Sequence, residues 1–193
     1  MRISAPKKPL RIVTRSGRLH GTCVQWKRSP NYDDRPDKKD ISLLVIHNIS
    51  LPPGQYGGCF VDDLFQNQLE CQAHPYFKQL EGLKVSSHLL IDRQGEVTQY
   101  VPFHKRAWHA GESCYEGRET CNDYSIGIEL EGTDHESFTD AQYRQLSGVI
   151  EVLLANYPSL SAKRIVGHSD IAPGRKTDPG EYFDWKRLKK ALE

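Results

Sequence analysis

Acidic residues are missing from the start of the chain: none precedes Asp33, whereas Arg2, Lys7, Lys8, Arg11, Arg15, Arg18, Lys27 and Arg28 all do. A stretch of one sign reads as a solvated basic arm, residues 1–28, ahead of a domain at 29–193. Polyanion or membrane-surface binding is the sharper alternative, and no nucleic-acid partner is expected from so local a feature. The same stretch, broken by Pro6 and Pro9, has no continuous apolar segment of the kind a secretory signal carries. Nowhere does an apolar run approach the roughly 18 residues that a membrane span needs. The five cysteines (Cys23, Cys59, Cys71, Cys114, Cys121) include no C-x-x-C pair, and their odd number and scatter suit free thiols rather than a disulfide framework. Also absent is the H-E-x-x-H pattern of many zinc peptidases. These absences lead to the expectation of a soluble, cytoplasmic protein without a membrane span.

What is present describes one α/β domain. With 193 residues, 37% hydrophobic and 26% charged, the chain is long enough for a single sizeable core. I-S-L-L-V-I-H-N (41–48) is almost wholly aliphatic, as a strand buried on both faces is, and ends at His47. Phe60, Val61, Leu64 and Phe65 fall at helical spacing, and a second short helix is expected around 74–80. V-S-S-H-L-L-I-D and E-V-T-Q-Y-V, separated by Arg93 to Gly95, read as a hairpin. Y-S-I-G-I-E-L-E-G (124–132) alternates strictly, with Ile126, Ile128 and Leu130 on one face and Gly127, Glu129 and Glu131 on the other. Thr139 and Gln142 form a capping box before a helix whose Leu146, Ile150 and Leu153 share a stripe. Asp184 caps a last amphipathic helix with Trp185, Leu188 and Leu192 inward. A central mixed sheet flanked by helices is therefore predicted.

The chemistry concentrates at strand ends. His47 and His168 each terminate an apolar run, and Asp178 lies in the Pro/Gly-rich loop after His168. Two imidazoles and a carboxylate make a zinc site with one open position, although these residues alone leave His88 and His109 open as replacement ligands. Lys176 lies two residues before Asp178, so the two are expected to point the same way. Water on such a zinc becomes a usable nucleophile near neutral pH. Amide hydrolysis also needs a base and an oxyanion stabiliser, roles open to Glu129 and Lys176. Gly127 is read as room for a substrate backbone beside Glu129, and the alternation does not separate Glu129 from Glu131.

Six segments in order, S-P-N-Y-D-x-R-P, L-L-V-I-H-N-I-S-L-P-P-G, V-S-S-H, Y-V-P-F-x-K-R-A-W-H-A-G, C-N-D-Y-S-I-G-I-E-L-E-G-T-D and G-H-S-D-I-A-P-G-R-K-T-D-P-G, resemble the AmpD-type N-acetylmuramoyl-L-alanine amidases. The resemblance covers about residues 29 to 187. It implies the amidase_2 and peptidoglycan-recognition fold, one zinc, and a small muropeptide substrate cut between anhydro-N-acetylmuramic acid and L-alanine. It also implies His47, His168 and Asp178 as ligands, Glu129 as general base, Lys176 as oxyanion stabiliser, and Asn48, Ala107 and Trp108 as sugar-side contacts. The family's peptide-side arginines are replaced here by Lys84 and Thr120, so Lys84 and the nearby Arg118 are the expected peptide contacts. Lysine keeps the charge without the bidentate fork. The alternative function is a peptidoglycan-recognition module that binds muropeptides without cutting them.

Overall fold

A computed structural model describes residues 9–193. In chain order the strands are β1 (Arg11–Val13), β2 (Arg18–His20), β3 (Val24–Trp26), β4 (Tyr32–Asp34), β5 (Leu43–Ile49), β6 (Leu89–Ile91), β7 (Val97–Gln99), β8 (Lys105–Ala107), β9 (Cys114–Tyr115), β10 (Arg118–Glu119), β11 (Ser125–Glu131) and β12 (Ile165–Gly167). The helices are α1 (Phe60–Phe65), α2 (Asp140–Asn156), α3 (His168–Ile171) and α4 (Trp185–Ala191). Six strands form the main sheet in the order β12-β5-β11-β6-β7-β3. The β12, β5, β11 and β6 pairings are parallel and β6–β7 is the antiparallel hairpin, so the sheet is mixed.

Because β5 and β11 lie in the middle of the sheet, both of their faces are covered. Leu44 and Ile46 of β5, with Ile126, Ile128 and Leu130 of β11, pack against Leu146, Val149, Ile150 and Leu153 of α2 and Leu188 of α4. Thr139 Oγ1 accepts from Gln142 N at 3.1 Å and Gln142 Oε1 from Thr139 N at 3.0 Å, which closes the capping box and starts α2 where the sequence places it. The opposite face of the sheet holds Leu43 and Val45 against Ala110, Cys121, Tyr124 and Ile171. This second face carries the polar residues of β11, so the site grows there.

Three expectations need correction. The stretch read as a solvated arm is, from residue 9 on, part of the domain: β3 joins the main sheet beside β7, Leu19 is buried in the core, and Gln99 Oε1 accepts from Leu19 N at 2.8 Å. Its charges are used locally, Arg18 lying 4.2 Å over the Trp26 ring and Lys27 pairing with Asp62 at 2.7 Å. Residues 1–8 lie outside the described residues. The helix expected near 74–80 is a tighter 3-10 turn, Pro75–Leu80, with His74 Nδ1 accepting from Tyr76 N at its start. The strand expected over 85–92 is shortened to β6: His88 N still donates to Gly127 O of β11, but two residues earlier Ser86 N donates to Trp108 O instead. Among the described residues no disulfide links the cysteines, and no helix is long and apolar enough to cross a membrane.

His88 is a structural histidine of defined tautomer. Its Nδ1 accepts from Gly127 N at 3.1 Å, so the proton sits on Nε2, which donates to Lys105 O at 3.0 Å. The buried Arg35 lies 3.2 Å from that same nitrogen but is held by the carbonyls of Phe103, Asn122, Asp123 and Ser125. Burial, and then the Arg35 charge, push the imidazole well below its ordinary value of 6.5. Since the folded state disfavours the proton, His88 contributes stability fully above pH 6.5, and that contribution is lost as pH falls below it. Urea midpoints taken from above pH 6.5 down to about pH 5 should drop more steeply for wild type than for His88→Gln. Parallel slopes would show that the ring carries no such linkage.

Candidate metal centre

The sheet register places the polar groups. His47 in β5 and Glu129 in β11 are direct Cα partners in a parallel pair, so their side chains leave the sheet on the same side. Strand β12 runs beside β5 with Gly167 opposite Ile46, and the chain turns into α3 at once, which brings His168 to the His47 position. The loop after α3 folds back so that Asp178 O accepts from Ser169 N at 3.0 Å. It is held from outside by Asp134, whose carboxylate accepts from Thr177 Oγ1 and, at 2.6 Å, from Asn48 Nδ2. Gly180 permits this approach: its φ is +83°, and a Cβ there would lie 2.3 Å from Asp134 Cα.

His47 Nδ1, His168 Nδ1 and Asp178 Oδ2 form a triangle with sides of 3.0, 3.0 and 3.1 Å. The outer nitrogens are already engaged, His168 Nε2 donating to Ala110 O at 3.0 Å and His47 Nε2 meeting His109 Nδ1 at 2.9 Å. Burial holds His47 below its ordinary value, against the pull of Asp178. Burial works against ionisation of Asp178, but its bonds to the His168 and His47 imidazoles prevail and hold the carboxyl below the ordinary carboxylate range. With the outer nitrogens of both rings engaged, His47 Nδ1, His168 Nδ1 and Asp178 Oδ2 face one another. These three ligand atoms are close enough together for the residues to hold a metal ion.

The triangle opens into a cleft of about 620 Å³ whose lining includes Asn48, Trp108, Glu129 and Lys176. Tyr76 and Leu83, among the most exposed large apolar side chains of the described residues, form part of its outer wall. Glu129 is buried, and its Oε2 has no hydrogen-bond partner among the described residues. Burial pushes its carboxyl well above the ordinary range, Asp178 adds to that, and Lys176 opposes it. A carboxyl so placed is suited to carrying a proton during a reaction. Glu131, on the same face, is spent on structure: it accepts from Gly57 N at 2.6 Å and from Arg93 N at 3.2 Å.

A family model described as N-acetylmuramoyl-L-alanine amidase matches residues 37–181. The chain belongs to this family. It is 60% identical over 161 residues to the 1,6-anhydro-N-acetylmuramyl-L-alanine amidase AmpD of Escherichia coli K12, covering 83% of this chain and 87% of that one. Among solved structures it is similar to a selenomethionine AmpD derivative, with a TM-score of 0.88, 54% identity, and coverage of 92% of this chain and 98% of the other. It also resembles AmpDh3 of Pseudomonas aeruginosa, solved with an anhydromuramic pentapeptide, at 28% identity and a TM-score of 0.60, covering 81% of this chain and 61% of that one. The protein is thus an N-acetylmuramyl-L-alanine amidase of the mixed-sheet fold expected from its sequence.

Of the other residues singled out in the sequence, Trp108 lies at the cleft and Ala107, Lys84, Arg118 and Thr120 are not among its lining. Ala107 is fully buried in β8 among Leu64, Phe65, Tyr100 and Val101, because its strand pairs with β4 and turns the methyl inward. Trp108, the next residue, does line the cleft, beside Asp33, whose carboxylate is clamped by Arg106 at 2.6 Å. Lys84 lines a separate, smaller cavity of about 120 Å³. Arg118 is committed to Asp40 at 2.6 Å and lies 3.7 Å over the Tyr124 ring. Thr120, with a φ of +56°, borders another depression with Arg175, whose Nη2 donates to Ala110 O at 2.7 Å. The room left by Gly127 is filled from within the chain: a Cβ there would stand 2.5 Å from Cγ of His109. His109, open on sequence as a replacement ligand, stands behind His47 instead, and Asp134 is a member of the site that the sequence does not single out beyond its place in E-G-T-D.

Proposed function

We propose that this amidase hydrolyses the amide between 1,6-anhydro-N-acetylmuramic acid and L-alanine in small muropeptides, with one zinc ion held by His47, His168 and Asp178. The reading extends to peptidoglycan recycling in the cytoplasm, the setting in which such anhydro fragments are recovered. The observation that carries it is the closed triangle of two imidazole nitrogens and a carboxylate oxygen beside a buried Glu129 oxygen with no partner among the described residues. The printed substrate of the 60% identical relative supports the choice of bond.

Zinc in such a site supplies Lewis acidity and lowers the pKa of a water at its open position to about 7. The chain's own groups do the rest. Glu129 takes the proton from the attacking water and returns it to the alanine nitrogen as the C–N bond breaks, so that the amine leaves neutral. Lys176, exposed on the rim of the same cleft, places its ammonium by the carbonyl oxygen as negative charge develops there. Asn48 and the Trp108 indole border the volume on the sugar side, the indole giving a flat apolar face. A cleft of about 620 Å³ suits one sugar with a short peptide rather than a polymer strand.

The test is mass spectrometry of the zinc-loaded protein acting on an anhydro-muramyl tripeptide. The expected products are the free tripeptide beginning with L-alanine and free anhydro-N-acetylmuramic acid, with little release from intact peptidoglycan. Cleavage between two amino acids, or equal turnover of the polymer, would overturn the reading.

A further inference from the structure

We infer that His109 is a positioning residue for His47, fixing by a one-way chain of hydrogen bonds which nitrogen of that ligand faces the metal; this rests on the zinc reading above. His47 and His168 both turn Nδ1 to the triangle, but their outer nitrogens are backed differently. His168 Nε2 meets a backbone carbonyl, which can only accept. His47 Nε2 meets a second imidazole, His109 Nδ1, at 2.9 Å, and His109 Nε2 lies 3.1 Å from Ser125 Oγ. A metal on His47 Nδ1 leaves its proton on Nε2. His109 Nδ1 must then accept, its own proton must sit on Nε2, and Ser125 Oγ must receive it. One arrangement of protons satisfies all three groups.

The surroundings of the ring are built for that orientation. His109 is perpendicular to His47, with centroids 5.0 Å apart and an interplanar angle of 85°. Its ring lies over the bare backbone of Gly127, where any side chain would collide with it. Asn122 Oδ1 accepts from both His109 N and Ala110 N, at 3.1 and 2.9 Å, so one side chain pins the segment that supplies the backing of both ligand histidines. An imidazole acceptor also makes the ligand behind it more electron-rich, and partners of this kind are worth roughly 10–100-fold in metal affinity or activity.

The experiment compares His109→Phe with His109→Asn in the full-length protein, reading zinc affinity by chelator competition. Phenylalanine keeps the ring and loses the acceptor; asparagine loses ring volume and keeps a polar atom near the Nδ1 position. The expected result is a zinc affinity about 10–100-fold weaker for His109→Phe, with His109→Asn closer to wild type. A residue that merely fills space would give the reverse order, and that order would overturn the inference. Nitrogen-15 NMR of zinc-loaded wild type supplies a second readout that needs no variant to fold. His47 and His109 should both carry their proton on Nε2, and a proton on His109 Nδ1 would overturn the inference. The two readings fail differently: wild type that takes up no zinc removes the metal site and the inference with it, whereas zinc bound equally by wild type and His109→Phe removes only the role of His109.

Discussion

Alanine at His47, His168 or Asp178 should strip the zinc from the protein and abolish hydrolysis, with losses beyond the roughly 10–100-fold that outer partners of a metal ligand contribute. Each variant removes one corner of a triangle whose sides are about 3 Å, and two remaining donors do not close a catalytic site. The fold should survive, because the triangle sits at the ends of β5 and β12 while the main core lies on the other face of the sheet. Metal analysis beside circular dichroism checks this. Full zinc occupancy in His47→Ala and His168→Ala, with loss in His88→Ala instead, would move the site. That outcome conflicts with the geometry of His88, whose two nitrogens are used by Gly127 N and Lys105 O.

Glu129→Gln should keep both zinc and fold and lose about 10²–10⁴-fold in kcat, the usual size of a general acid–base contribution. Glutamine has nearly the same shape but neither takes nor returns the proton. Lys176→Ala should also retain zinc and lose roughly 10²–10³-fold, as the removal of one oxyanion donor does. Glu131→Ala provides the contrast. It leaves Gly57 N and Arg93 N without their acceptor, so its cost should fall on stability, about 1–3 kcal/mol, far more than on turnover. Steady-state kinetics and urea melts of the three variants separate these effects. Equal kinetic losses at Glu129 and Glu131, or wild-type turnover by Lys176→Ala, would remove the assigned roles.

The sequence by itself determined those elements whose signal is local. The alternation of β11, the aliphatic run of β5, the capping box of α2 and the Asp184 cap of α4 each depend on neighbours a few residues away, where side-chain direction follows from the backbone period. The order of the six segments was enough to point to the amidase family, and the histidines and carboxylates of the site were visible as residue types at strand ends. Only the tertiary structure decided what those residues meet. Period two puts Glu129 and Glu131 on one face and cannot distinguish them. They part because the loop at Gly57 and the turn at Arg93 reach one carboxylate and leave an oxygen of the other without a partner among the described residues. Ala107 and Trp108 are adjacent in sequence, yet pairing with β4 buries the first and leaves the second at the cleft. The basic arm looked solvated because charge dominates its composition, but three short strands, one buried leucine and a glutamine 80 residues away fold it onto the sheet. His109 stayed open as a possible ligand because its partners, His47, Gly127 and Ser125, come from two strands that are neighbours only after the sheet has formed. Contacts between distant segments leave no period in the sequence, and at this site they decide which histidine joins the triangle with Asp178 and which stands behind it.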